Sequence, residues 1–194
     1  MKIIALILGL FLFSSCNNLK LATGQKSISS LAIDYSISDK VNPIYKSVID
    51  STIDATIVRF NNENRSFTAI KRGPNDEKGL TIDFTKGRFV SDGGITAGYI
   101  VSGLGLIVTP ISLYLASGGE LIGFFYYFPD DKIVISSSLS PSLSAKPGKK
   151  SNSWVMSGAL FSSKSKRLAK ISMRLDDRVY KMLTKLDKQV KKSN

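Results

Sequence analysis

Three patterns in this chain of 194 residues predict a single α+β domain with a mostly antiparallel sheet. Short segments in which apolar and polar residues alternate predict strands, and a capped apolar periodicity over residues 42–60 predicts a helix on the N-terminal side. A heptad-like stripe near the C-terminus predicts a long amphipathic helix. We expect the domain over residues 31–194, with an apolar, Gly-rich insertion at 93–119.

The first two elements are a strand and a helix. Apolar residues largely alternate with polar ones from Ile28 to Ile37, which predicts a strand. Asn42-Pro43 predicts the start of a helix, because Asn can accept a hydrogen bond from a free N–H group and Pro has no N–H to leave unpaired. Apolar residues recur up to Phe60, although the β-branched residues of Thr52–Val58 leave a strand open there.

Several strands follow. They are predicted over residues 66–71, 80–84, 121–128, 133–139 and 154–161. Lys86-Gly87 predicts a turn or a bulge. Pro129-Asp130-Asp131-Lys132 has the composition of a type I turn, so we expect a β-hairpin between 121–128 and 133–139. Residues 141–152 predict a flexible basic loop.

The C-terminal helix carries two stripes. The apolar stripe consists of Leu168, Ile171, Leu175, Val179, Met182, Leu186 and Val190. The basic stripe, a candidate contact for an anionic surface, consists of Arg167, Lys170, Arg174, Arg178, Lys181 and Lys185, with Lys188 continuing it. Lys164–Lys192 holds eleven basic and three acidic residues, a net +8 of the chain's +12. Three interpretations of the basic stripe remain open. It is a solvated helix face, a contact with anionic lipid or an acidic envelope polymer, or a face that pairs with another chain.

The N-terminus predicts export and lipidation. Lys2 precedes eleven uncharged apolar residues, Ile3–Phe13, a stretch too short to span a bilayer as a helix. Phe13-Ser14-Ser15-Cys16 resembles the lipobox of bacterial lipoproteins, whose cysteine is acylated and becomes the mature N-terminus. The resemblance implies that residues 1–15 are removed and that Cys16, the chain's single cysteine, is the lipidation site. An ordinary secretory signal is the alternative.

The predicted location follows from that anchor. Residues 16–30 are polar and poorly periodic, which predicts a flexible tether. Asn17 stands where an Asp would resemble an inner-membrane retention signal, so the outer membrane is favoured. We expect a lipid-anchored protein of the cell envelope, facing the periplasm or the cell exterior.

Gly93–Gly119 contains twenty-seven consecutive uncharged residues. Residues 95–116 alone could cross about 30 Å of hydrocarbon as a helix. Pro110 and several glycines within the run oppose a regular helix. A full span, a shallow contact with membrane or partner, and packing in the core all remain open. The candidate membrane-contact residues are Ile95, Tyr99, Leu104, Leu106, Ile107 and Tyr114.

The composition excludes much catalytic chemistry. A chain without histidine and with one cysteine has no His-based triad and no zinc site built from several His or Cys ligands. We find no P-loop, no GxGxxG fingerprint and no GxSxG elbow. We predict no catalytic residues, no metal site and no cofactor. An exported protein meets little nucleic acid, so we predict no nucleic-acid partner despite the basic charge.

The order strand, helix, strands, long terminal helix resembles small periplasmic domains of the TolB N-terminal or CsgG-like kind. The resemblance covers residues 31–190 at the level of element order and implies an assembly or scaffold role. We therefore expect a non-enzymatic protein with an interaction or scaffold role and an envelope protein as its partner. The alternatives are an integral protein with one added span, a module that binds lipids or amphiphiles, and a hydrolase, which has no recognisable motif here.

Overall fold

The computed structural model describes residues 19–22, 28–73, 79–94, 96–97, 100, 130–158 and 162–193. In this part of the chain, five strands form one sheet in the order β2-β1-β3-β4-β5, and two long helices pack against it. The elements are β1 (Ser30–Ile37), α1 (Lys46–Asn61), β2 (Thr68–Lys71), β3 (Leu80–Arg88), β4 (Lys132–Leu139), β5 (Ser151–Met156) and α2 (Lys164–Ser193). The predicted α+β class is confirmed.

The first half of the fold is a strand–helix–strand unit. β1 and β2 are parallel, and α1 is the crossover that parallel neighbours require. A 3-10 turn at Pro43–Tyr45 precedes α1, and the Asn42 side chain accepts a hydrogen bond from the Ile44 N–H at 3.1 Å. This geometry confirms the predicted cap. Thr52–Val58 lies inside α1, so the strand alternative for these residues is wrong.

The sheet is mixed. β3 runs parallel to β1, whereas β4 is antiparallel to β3 and β5 is antiparallel to β4. The antiparallel pairings extend over more residues, so the sheet is mostly antiparallel, as expected. The register shifts between Phe84 and Lys86, which identifies the predicted irregularity at Lys86-Gly87 as a bulge.

The predicted β-hairpin is wrong. β4 coincides with the predicted strand at 133–139, but β3 and β5 occupy both of its edges, and residues 121–128 lie outside the described residues. The carboxylates of Asp130 and Asp131 accept hydrogen bonds from the Gly158 and Val90 N–H groups. Both side chains therefore bind the backbone of other segments. The turn-like composition of Pro129-Asp130-Asp131-Lys132 does not reveal these contacts.

β5 begins earlier than predicted. It starts at Ser151, inside the predicted loop at 141–152, and ends at Met156. Ser151 and Ser153 are buried in this strand, while Trp154 is half exposed. The apolar alternation therefore gives no signal for its first residues, because small polar side chains face the interior there.

The core lies between the sheet and the two helices. α1 contributes Ile49, Ile53, Ile57 and Phe60, and α2 contributes Ile171, Leu175, Val179, Met182, Leu183, Leu186 and Val190. The sheet contributes chiefly Leu31, Ile33, Leu80, Ile82, Phe84, Ile133 and Ile135. The apolar stripe predicted for the C-terminal helix is thus confirmed as a core face, with Leu168 only partly buried. Each fully buried aliphatic side chain contributes about 1.5–3 kcal/mol of transfer free energy.

Candidate functional site

A buried ion pair lies beside Val90 and Asp92, the described residues just before the apolar run in sequence. Arg167 Nε, at the start of α2, donates to Asp131 Oδ2 at 3.0 Å, and the two side chains are 1% and 0% exposed. The guanidinium also donates to the Val90 carbonyl oxygen at 2.8 Å and lies 3.1 Å from Asp92 Oδ1. Asp131 Oδ1 in turn accepts the Val90 N–H at 2.8 Å. We call these four residues the Arg167 clasp.

Aromatic rings enclose the clasp. The fully buried Tyr45 donates its hydroxyl to the Arg88 carbonyl oxygen at 3.1 Å, and the Phe89 ring centroid is 5.1 Å from Arg167 Cζ. Burial raises the pKa of Tyr45, and the nearby Asp131 carboxylate raises this pKa further. Tyr45 therefore remains protonated and acts as a fixed donor. Exclusion of water strengthens the ion pair inside this enclosure and makes the loss of one partner costly.

The end of β5 is fixed beside the clasp. The Asp130 carboxylate accepts hydrogen bonds from the Ser157 hydroxyl and, at 2.7 Å, from the Gly158 N–H. Gly158 has φ 52°, and a Cβ there would lie 2.7 Å from the Arg174 guanidinium. Arg174 Nη1 donates to the Met156 carbonyl oxygen at 2.8 Å. The backbone conformation favours a glycine at position 158, and a Cβ there would displace the Arg174 guanidinium.

The clasp brings together two described segments that flank the apolar run in sequence. The chain passes Asp92 as it leaves β3 and passes Asp130 as it enters β4, and Arg167 and Asp131 join these two points. The predicted contact residues Ile95, Tyr99, Leu104, Leu106, Ile107 and Tyr114 lie outside the described residues. Ile100 is described and is 58% exposed.

No helix in the described ranges has both the length and the apolar character needed to cross a membrane. Most of Gly93–Gly119 lies outside those ranges. The membrane contact of the apolar run therefore stays a prediction.

The basic stripe of α2 divides into side chains with different environments. Arg167 is buried in the clasp, so its predicted contact with an anionic surface is wrong, because burial and pairing occupy its guanidinium. Lys170 and Arg178 are half-buried, whereas Arg174, Lys181 and Lys185 are exposed. Lys181 lies 2.7 Å from Asp177, and Arg174 holds the end of β5. Carboxylates and a backbone carbonyl oxygen of the domain thus bind Arg167, Arg174 and Lys181 of the stripe.

Residues 19–22 are docked on the domain. Leu19 is 4% exposed, and the Gln189 side chain donates to its carbonyl oxygen at 3.1 Å and accepts from the Leu21 N–H at 2.8 Å. Leu21 also forms an antiparallel bridge with Ser144. The predicted flexible tether over 16–30 is therefore wrong for Leu19–Ala22. Cys16 itself lies outside the described residues.

A second polar network lies near that end of α2. Asp187 is 1% exposed, accepts the Ser66 N–H at 2.6 Å and lies 3.5 Å from Arg65 and 3.3 Å from Lys191. Arg65 also donates to the Tyr180 hydroxyl at 2.6 Å. Burial by itself raises the pKa of Asp187, but the hydrogen bonds from Ser66 and the charge of Lys191 lower the pKa on balance. Asp187 therefore remains a carboxylate and ties α2 to the loop before β2.

The buried carboxylates among the described residues connect distant segments of the chain. The part of the chain that the structure describes contains no group of three or more His, Cys, Asp and Glu side chains that could hold a metal ion. The two buried carboxylates, Asp131 and Asp187, each bind an arginine and a backbone N–H. Both act as structural groups that connect segments distant in sequence.

The sequence did not reveal Leu19 or Gln189 as a contact pair. Both contacts of Gln189 are with backbone atoms, so no side-chain pattern marks them. No protein-family model, curated protein or solved structure matches the chain. The resemblance to TolB N-terminal or CsgG-like domains therefore stays a prediction from the order of the elements.

Proposed function

We propose that this protein is a lipid-anchored protein of the cell envelope with a non-catalytic interaction or scaffold role. Cys16 is the acylated residue, and the α+β domain is held at the membrane that carries the acyl chains. The single observation that carries the proposal is the position of the only cysteine at the end of Phe13-Ser14-Ser15-Cys16, directly after an apolar signal segment. Two acyl chains supply a stable anchor, since each buried methylene contributes about 0.8 kcal/mol.

The docked segment after the cysteine supports this proposal. Leu19 occupies the core only three residues after Cys16, so the domain remains close to its anchor. A chain acylated at Cys16 is therefore held directly at the membrane surface. The membrane, outer or inner, and an envelope protein are the proposed partners.

The clasp supports the interaction role. Arg167 and Asp131 contact Val90 and Asp92, so they join the chain segments that precede and follow the uncharged run in sequence. In our proposal the run contacts a partner or the surface of the bilayer, while the acyl chains remain the main attachment to the membrane. The integral protein with one added span and the module for amphiphilic ligands are the alternatives.

Metabolic labelling with a fatty-acid analogue tests the anchor. We expect the wild-type chain to be labelled and Cys16→Ala to be unlabelled. Label that survives in Cys16→Ala contradicts the proposed site.

Carbonate extraction tests the alternatives. A secreted chain that begins at Asn17 should leave the membrane fraction at high pH, because it has lost the acyl anchor. If that chain still pellets with membranes after carbonate treatment, the run is inserted in lipid and the integral alternative replaces ours.

A further inference from the structure

The anchor and the Arg167 clasp lie at opposite ends of α2. Gln189 binds the backbone of Leu19 and Leu21, whereas Arg167 belongs to the first turn of the same helix. Gln189 lies twenty-two positions after Arg167, which corresponds to about 33 Å along the helix axis. The two ends of the domain are therefore well separated.

The chain from Cys16 to the domain is short. Asn17 and Asn18 alone separate Cys16 from Leu19, which is fixed in the core. Three residues span at most about 11 Å when fully extended. The membrane that holds the acyl chains must therefore lie within about this distance of the Gln189 end of α2.

This end of the domain is basic. The exposed lysines around the docked segment are Lys20, Lys146, Lys188, Lys191 and Lys192, and we call them the anchor-side lysines. Lys20 lies within the docked segment, and its carbonyl oxygen accepts the N–H of Ala145, the neighbour of Lys146. The remaining three flank Gln189 on the last turns of α2. Arg65 and Lys191 neutralise Asp187, which leaves the charges of the other four anchor-side lysines for the headgroups.

We infer that the anchor-side lysines contact the anionic headgroups of the membrane that holds the acyl chains, so that α2 stands end-on and the Arg167 clasp faces away. The inference rests on the proposed acylation of Cys16 and adds an orientation to it. The length of chain between the anchor and the core brings this surface to the headgroups, and its charge complements theirs. A basic residue near an anionic membrane surface contributes about 1 kcal/mol.

A competing orientation lays α2 flat on the bilayer. The stripe residues Lys170 and Lys181 would then face lipid, and both ends of α2 would lie at similar depth. Lys181 is already paired with Asp177, and Met173 and Asp177 interrupt the basic charge on the exposed side of the helix. The two orientations differ in the distance of the first turn of α2 from the headgroups.

Energy transfer in vesicles measures that distance. The mature protein, purified from its membrane, is reconstituted into vesicles of equal parts phosphatidylcholine and phosphatidylglycerol that carry a headgroup acceptor. A donor dye is attached at Lys192→Cys or, as the matched site, at Lys166→Cys. We expect efficient transfer from position 192 and at least severalfold weaker transfer from position 166. Equal transfer, or stronger transfer from position 166, overturns the end-on orientation.

Trp154 provides a probe without a label. It is the only tryptophan of the chain and lies in β5, which ends at Met156. Arg174 of α2 donates a hydrogen bond to the Met156 carbonyl oxygen, so this strand end lies on the clasp side of the domain. Brominated acyl chains in the same vesicles should leave its fluorescence unchanged. Strong quenching contradicts the inference and places the clasp end in lipid.

Charge removal tests the headgroup contact. The label at position 192 is either close to the headgroups or far from them, and energy transfer gives the ratio of these two populations. In the anionic vesicles, Lys20→Gln with Lys188→Gln should lower this ratio about fivefold per lysine. The matched pair Lys164→Gln with Lys170→Gln should leave this ratio unchanged. An equal response of the two pairs overturns the contact.

Mass spectrometry of the same sample separates the two proposals. An unmodified Cys16 overturns the proposed function together with the orientation. An acylated Cys16 with position 192 no closer to lipid than position 166 overturns the orientation alone.

Discussion

Arg167 Nε and Asp131 Oδ2 are 3.0 Å apart in a site where neither side chain is more than 1% exposed. The pair joins the first turn of α2 to the residue that precedes β4, thirty-six positions away in sequence. Two charges removed from water in this way are stable only together, because either one left alone keeps its desolvation cost.

Arg167→Met should therefore destabilise the domain strongly. We expect a loss of about 3–5 kcal/mol in the free energy of unfolding, because Asp131 would remain as a buried charge without its cation. Chemical denaturation measures this loss. Lys166→Met, the exposed neighbouring position, should change the free energy by no more than about 0.5 kcal/mol. Equal effects at the two positions would show that the clasp contributes nothing.

Leu175→Ala tests the packing of α2. Leu175 is 0% exposed in the core, so we expect the substitution to cost about 2–5 kcal/mol through lost burial and a cavity. Met173 lies on the same helix and is 62% exposed, so Met173→Ala should cost less than about 0.5 kcal/mol. Thermal unfolding of both variants provides the measurement, and a similar shift in Tm for both would contradict the assignment of the core face.

Asp187→Asn should change how stability depends on pH. The pKa of Asp187 is lowered in the folded protein, so its carboxylate contributes stability above its unfolded pKa of about 3.9 and loses that contribution as pH falls through the folded pKa. We expect the variant to be less stable by about 1–3 kcal/mol near neutral pH. The difference should shrink below about pH 4.

Urea denaturation at several pH values measures this difference. Asp177→Asn is the matched control, because Asp177 is 54% exposed on the same helix and pairs with the exposed Lys181. The control should change stability by less than about 1 kcal/mol. A difference between wild type and Asp187→Asn that stays constant down to acid pH would contradict the assigned role of this carboxylate.

Gly158→Ala tests the close approach of β5 and α2. Position 158 has φ 52°, and a Cβ there would meet the Arg174 guanidinium at 2.7 Å. Gly148 also has a positive φ, 77°, but a Cβ there would meet nothing within 4 Å. Both substitutions cost about 1–2 kcal/mol, because a residue with a Cβ disfavours the left-handed backbone conformation. Gly158→Ala should cost more than Gly148→Ala in equilibrium unfolding, and equal costs would mean that Arg174 moves away freely.

The sequence predicted those parts of the fold that local patterns encode. The cap at Asn42 and the apolar stripe through Leu175 and Val190 depend on spacing along one element, so they could be found without the structure. The partner of β4 could not be found in this way, because Asp130 and Asp131 bind backbone groups far along the chain.

The candidate site shows the same limit. Arg167 fits the basic stripe by its position, yet it is buried, because the carboxylate that attracts it comes from the other side of the apolar run. The docking of Leu19 depends on hydrogen bonds between the Gln189 side chain and backbone atoms. Spacing and composition carry no information about either contact.

The N-terminal peptide of the mature protein tests the central claim most directly. The protein is purified from membranes of the cell that produces it, digested, and analysed by mass spectrometry. Our account predicts a mature chain that begins at Cys16 and carries a diacylglyceryl group on its sulfur. A mature chain that begins at another residue, with an unmodified Cys16 thiol or none at all, would contradict the account.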